Sequence, residues 1–168
     1  MALSSDSNSL LSLQGLEGLK AARVAIVSTE WNDTIVTAQI AGATKIFNEI
    51  GAICSKPYVV PGAFEIPFAC KQIAESGKGS TEAPEAIIAF GAVIRGGTPH
   101  FEYVCQAVVE GIANLNITLN IPVIFGVLTL NTEAEAWERL GGVHGHKGEE
   151  AAIAALKMIQ FNRSISTK

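Results

Sequence analysis

The chain has 168 residues, 48% of them hydrophobic and only 17% charged, and its 12 basic and 16 acidic side chains give a formal net charge of −4. That length suits one domain with a proper core and excludes a largely disordered chain, and an acidic balance without a Lys/Arg run excludes nucleic acid as a partner. The charged share falls below the figure of about a quarter typical of soluble domains, which predicts extensive contacts between copies of the chain.

Ser4, Ser5, Ser7, Ser9 and Ser12 lie among scattered leucines, so residues 1–20 read as a loose arm ahead of a single domain, 21–168. Neither a basic segment followed by an apolar run nor a stretch of about eighteen apolar residues occurs, so no secretion or membrane insertion is expected. Cys54, Cys70 and Cys105 form no C-x-x-C pair, which fits a reducing cytoplasm and thiols packed as small apolar residues.

The first ordered element is a buried strand at Val24–Val27. Val36, Ile40, Ala43, Phe47 and Ile50 then form one helical stripe, capped by Asp33 or Thr34 and stopped by Gly51. A strand at Ser55–Val60, a helix at Ile66–Ser76 with Pro67 in its first turn, and an exposed linker at Gly77–Pro84 follow. The third strand, Ala86–Ile94, leads to a helix with Thr98 as N-cap and Pro99 in first position, running to Leu115. A fourth strand at Val123–Thr129 precedes a capping box, Thr132-Glu133-Ala134-Glu135, opening a short helix that ends at Gly141-Gly142. A last helix covers Glu149–Phe161. Apolar strands alternating with helices predict a three-layer α/β/α sandwich around a four-stranded parallel sheet, with ligands at the carboxyl ends of the strands.

The segments after each strand are therefore the ones to search for chemistry. Trp31, beside Asn32, stands where a strand gives way to a helix and is either a stacking surface for a planar ligand or an interface or core residue. The absence of G-x-G-x-x-G in that loop disfavours a dinucleotide enzyme. In Pro61-Gly62-Ala63-Phe64-Glu65, the glycine permits close backbone approach, and Glu65 is either an acceptor for hydroxyls or an ordinary first-turn carboxylate. Gly96-Gly97-Thr98 points amides from a helix N-terminus as an anion site requires, and a neutral His100 in the next turn could act as a general base. Arg139 and Lys147 could reach an anion at the same edge of the sheet or stand as solvated charges. His144 and His146, without a nearby carboxylate or cysteine, make a poor zinc pair and read as loop residues.

Taken together, Glu30-Trp31-Asn32, Pro61–Glu65, the run GAVIRGGTPHFEYVC at Gly91–Cys105, and Phe125–Thr129 resemble the lumazine synthase family. Ala136–Gly141 and Gly145–Gly148 extend the resemblance, which covers about Arg23 to Ile159. It implies a flavodoxin-like fold and the condensation of 5-amino-6-(D-ribitylamino)uracil with 3,4-dihydroxy-2-butanone 4-phosphate, with no metal or organic cofactor. Carried onto this sequence, it implies that Trp31 and Asn32 meet the pyrimidine, Ala63, Phe64 and Glu65 the ribityl chain, and Val93 and Ile94 the ring. Gly97, Thr98 and Arg139 would hold the phosphate, with Lys147 near that end, and His100 would shuttle protons. Phe125, Arg139 and Lys147 would come from a neighbouring copy in a pentamer or an icosahedral shell of about sixty subunits. Riboflavin synthase is a further partner the resemblance suggests. Trp31 replaces a more usual phenylalanine and His146 a more usual asparagine. Rival readings are a lumazine- or riboflavin-binding paralogue without turnover, which would need no anion site, and a receiver module, which would need clustered aspartates where only Asp33 stands.

Overall fold

Alternation of apolar residues along the strands sets the two faces of the sheet. The computed structural model describes residues 11–166. β1 (Arg23–Thr29) leads to α1 (Asp33–Ile50), then β2 (Ile53–Cys54), β3 (Tyr58–Val60) and α2 (Ile66–Ser76). β4 (Ala86–Ile94), α3 (His100–Thr118) and β5 (Val123–Leu130) follow. The chain ends with the short α4 (Ala134–Glu138), a hairpin of β6 (Leu140–Gly142) and β7 (Gly145–His146), and α5 (Lys147–Ser166). The main sheet runs β2-β1-β4-β5 with β3 continuing beside β1, and every pair in it is parallel.

Val24, Ile26, Ile88 and Phe90 pack in one core layer with residues of α1 and α5. Ala25, Val27, Ile87 and Ala89 pack on the opposite face with residues of α2 and α3. A third cluster of Ile35, Ala92, Leu128, Leu130 and Ala136 closes the carboxyl end of the sheet and seats α4 there. The expected flavodoxin-like three-layer architecture is what the chain adopts. α1 stops as anticipated, because Gly51 takes φ +79 and returns its amide to the Phe47 carbonyl.

Several boundaries differ from expectation for identifiable reasons. The second strand is two pieces, β2 and β3, interrupted at Ser55–Pro57, where Pro57 has no amide hydrogen to give the ladder. The helix from the capping box ends at Glu138, and Leu140–His146 forms a hairpin whose two- and three-residue strands are too short to show a period. The box itself is shifted: the Glu135 carboxylate accepts from the Asn131 amide at 2.9 Å, and the residue before the helix is Glu133. α5 begins at Lys147 and continues to Ser166, so Lys147 is the first residue of a helix and His146 belongs to a strand.

The loose arm does not extend to residue 20. Leu16 and Leu19 are buried against the α1/α5 layer, and Leu11 and Leu13 pack on it, since their leucines find apolar cover there. Residues 1–10 lie outside the described part of the chain. Among the described residues no helix is long and apolar enough to cross a membrane. Burial pushes the Cys70 thiol up to about 12 and that of Cys54 to about 11, which suits packing and not nucleophilic work. Leu16→Ala should lower the unfolding free energy by about 2–4 kcal/mol. Guanidinium unfolding followed by circular dichroism checks this, and an unchanged midpoint would show that the segment adds nothing to the core.

Candidate active site

Strand order reverses at β1: the chain leaves β1 for α1 on one face of the sheet and leaves β4 for α3 on the other. The carboxyl ends of β1 and β4 therefore part and leave a crevice. A cleft of about 520 Å³ opens there, in the range used for small ligands. Its walls are Trp31 and Asn32 after β1, Gly62–Glu65 after β3, Ala92–Ile94 at the end of β4, and His100 and Val104 on α3.

Trp31 is 73% exposed, which removes it from the core and leaves its indole as a face for a ligand or a partner. Its backbone is fixed: its amide donates to the Pro61 carbonyl at 3.3 Å, and the Thr29 hydroxyl donates to its carbonyl at 3.0 Å. Asn32, not Asp33 or Thr34, is the N-cap of α1, in a left-handed conformation with φ 59 and no side-chain capping bond. Its amide instead donates to the Ala92 carbonyl at 2.8 Å, tying the exit of β1 to the end of β4. Asparagine tolerates that backbone better than most residues, so this is where a sharp strand-to-helix turn can be placed.

Ala63–Glu65 form a single 3-10 turn in which Ala63 is buried and Phe64 is 64% exposed. One carboxylate oxygen of Glu65 accepts from the Gly62 amide at 3.0 Å. The carboxylate thus orders its own turn at the lip of the cleft, a bond its place at the start of a helix would favour in any case.

His100 is exposed and is the first residue of α3. Pro99 takes the cap position expected of Thr98, because its ψ of 0 closes a turn in which the Glu102 amide reaches the Pro99 carbonyl at 3.1 Å. Gly97 and Thr98 are exposed on the loop between β4 and α3, beside the cleft but outside its lining, and the space around Gly97 is open. Arg95 braces this loop: its guanidinium lies 4.2 Å from the Phe101 ring centre, pairs with Glu102, and donates to Asn131 at 3.0 Å.

Besides Gly97 and Thr98, three expected site residues lie outside this cleft's lining, and these stand well away from it. Phe125 pairs with Ala89 while Thr129 pairs with Val93, which places Phe125 four residues, about 13 Å, back along the sheet. There it is 42% exposed, in a separate groove with Leu119, Met158 and Phe161. Arg139 lies between α4 and β6 and donates to the Glu135 carbonyl at 3.1 Å, while the Lys147 ammonium donates to Glu150 at 2.7 Å. Neither lines the cleft.

Gly62, singled out for close backbone approach, lines the cleft, while sequence reasoning overlooked Ala92 and Val104 as wall residues. Val104 was open to inference, since it stands four residues after His100 and so shares its helix face.

Comparison with known proteins gives the arrangement its context. The family model for 6,7-dimethyl-8-ribityllumazine synthase matches residues 21–163. A 6,7-dimethyl-8-ribityllumazine synthase of Porphyromonas gingivalis is 44% identical over 146 residues, 86% of this chain and 88% of the relative. One from Bacteroides fragilis is 44% identical over 146 residues, covering 86% and 99%, and one from Streptomyces avermitilis is 40% identical over 146 residues, covering 86% and 87%. On a match of this extent, the chain belongs to the 6,7-dimethyl-8-ribityllumazine synthase family.

Proposed function

We propose that the chain condenses 5-amino-6-(D-ribitylamino)uracil with 3,4-dihydroxy-2-butanone 4-phosphate to give 6,7-dimethyl-8-ribityllumazine, phosphate and water, a step of riboflavin biosynthesis. The observation that carries this reading is the meeting, in one cleft, of an exposed indole, a polar turn, an apolar strand end and an imidazole from four separate segments. A planar pyrimidine with a polyhydroxyl tail has matching needs. The indole of Trp31 stacks on the ring, Val93 and Ile94 face it from β4, and Asn32 holds the floor beneath. The turn Ala63–Glu65 offers backbone and carboxylate to the ribityl hydroxyls.

The first bond forms when the 5-amino group attacks the ketone. Losing water from that adduct requires a proton on the departing oxygen, and releasing phosphate requires removal of a proton from carbon; the ribitylamino nitrogen then attacks the ketone so formed at the neighbouring carbon, and loss of a second water closes the ring. One group that both gives and takes protons serves both steps, and His100, on the cleft wall, is that group in this reading. The phosphate sits against the amides of Gly97 and Thr98, with the guanidinium fork of Arg139 and the ammonium of Lys147 supplying positive charge.

Arg139, Lys147 and Phe125 lie away from the cleft of their own chain, which supports a site completed by an adjoining copy, as in a pentamer or a shell of pentamers. Exposed Phe64, Phe68, Tyr103, Phe125 and Phe161 are more large apolar surface than one soluble chain ordinarily shows to water. The cytoplasm is the compartment that fits such a biosynthetic step, and riboflavin synthase, which consumes the product, is a natural partner.

Formation of lumazine absorbance from both substrates, measured against the uncatalysed condensation, tests the reading. His100→Ala should lower kcat by about tenfold or more, and rates equal to wild type would remove His100 from the proton transfers. Arg139→Ala should raise KM for the phosphate substrate while leaving KM for the pyrimidine nearly unchanged, and an equal KM for both enzymes would contradict the phosphate assignment. When His100→Ala and Arg139→Ala chains are unfolded together and reassembled in equal amounts, sites shared between copies should recover about a quarter of wild-type activity, because that fraction pairs two intact contributions. Sites confined to one chain would give no more than the mean of the two variants' own activities, read at phosphate-substrate concentrations well below the raised KM.

A further inference from the structure

The buried face of α1 runs through Ile35, Val36, Gln39, Gly42, Ala43, Ile46 and Phe47. A glycine in the middle of a helix favours the helix less than alanine does, so Gly42 calls for a reason outside α1. The imidazole of His146 supplies it. A Cβ on Gly42 would lie 2.1 Å from Cε1, 2.4 Å from Nδ1 and 2.9 Å from Nε2 of His146, so the ring fills the volume any side chain would need. The fit is reciprocal two residues on: a Cβ on Gly148 would lie 2.1 Å from the carbonyl oxygen of Gln39. Two close approaches thus lock Gly145–Gly148 onto one turn of α1. His146 Nδ1 and Gln39 Oε1 are both buried with no hydrogen-bond partner, so the ring serves here as a wedge and not as a polar contact.

What the wedge holds is the pair of cations. His146 pairs with Leu140 across the β6–β7 hairpin, and at its base the Lys147 amide donates to the Arg139 carbonyl at 2.8 Å. Arg139 and Lys147 are therefore the two ends of one small hairpin, cross-linked by backbone and seated on α1 through the His146 ring on Gly42 and the close approach of Gly148 to Gln39. We propose that His146 is a positioning residue: its seat on Gly42 sets the height and angle of the hairpin and so the reach of Arg139 and Lys147 toward the substrate phosphate. This rests on the reading of Arg139 as a phosphate ligand. The ring touches no substrate, and it acts by placing groups that do.

Steady-state kinetics of the full chain carrying Gly42→Ala, His146→Ala or both, beside Arg139→Ala, tests it. Gly42→Ala should raise KM for 3,4-dihydroxy-2-butanone 4-phosphate about tenfold, with KM for the pyrimidine and kcat changed by less than about twofold. The double variant, in which the new methyl group occupies space the ring has left, should bring that KM back below the Gly42→Ala value, a rescue that a merely structural defect would not give. A normal phosphate KM in Gly42→Ala, or two effects that simply add, overturns the proposal while Arg139→Ala still raises KM. A normal KM in Arg139→Ala instead locates the failure in the phosphate assignment and takes the proposal with it. If Gly42→Ala fails to fold, His146→Ala, which only removes atoms, decides alone: about threefold or more on the phosphate KM supports the wedge, and no change overturns it.

Discussion

The reversal of strand order at β1 is the constraint on which the chemistry depends. Chain leaving β1 must turn to one face of the sheet and chain leaving β4 to the other, so two adjacent strands end without covering one another. Three of the cleft's four walls follow from that. Trp31 and Asn32 are what comes after β1, Ala92–Ile94 is how β4 ends, and His100 opens the helix that β4 feeds. Asn32 shows how tightly the opening is held. Its left-handed backbone makes the turn, and its amide, spent on the Ala92 carbonyl, keeps the two strand ends at a fixed separation.

The same sheet bears on the proposal that the site is completed by an adjoining copy. β5 is the edge strand, and its register with β4 leaves Phe125 low on the sheet, facing outward with the ends of α3 and α5. A substrate in the cleft of the same chain is beyond its reach. The arm with Arg139 and Lys147 likewise stands on α1, on the layer opposite α2 and α3. A site assembled between copies needs this division, with the imidazole and stacking surface on one chain and the cations and second aromatic on the next. The low charged fraction fits that proposal, since surface that meets another copy is not free to be charged.

The strong periodic elements were legible from sequence because their physics is local. α1 shows an unbroken apolar stripe and a glycine stop, and β4 is apolar on both faces, so both were placed nearly to the residue. The loops that form the cleft were legible because each follows an apolar strand. What escaped was decided by tertiary contact. The β6–β7 hairpin is too short to carry a period, and it is seated where the His146 ring packs against Gly42 of α1. Leu16 and Leu19 look like stray leucines in a serine-rich arm until the α1/α5 layer covers them. Pro57 was visible, but its consequence, a strand divided into β2 and β3, required knowing that both pieces pair with β1. That Phe125 lies apart from Trp31 depends on register, which hydropathy does not encode.

α1 connects the two halves of this arrangement. Its first residues follow Trp31 and Asn32, so the angle at which the helix leaves the sheet governs how the indole stands in its own cleft. About two to three turns further on, Gln39 and Gly42 carry the hairpin whose ends are Arg139 and Lys147. Gln39 also donates to the Gly126 carbonyl at 2.6 Å, next along β5 from Phe125. A rigid helix at one place thus touches the stacking loop, the cation arm and the strand bearing the second aromatic. Any displacement of α1 against the sheet would move the ring site of one chain and the anion-binding groups offered to the next together. In the ring of identical copies proposed above, that shared support would keep each pair of half-sites in step without a separate device to align them.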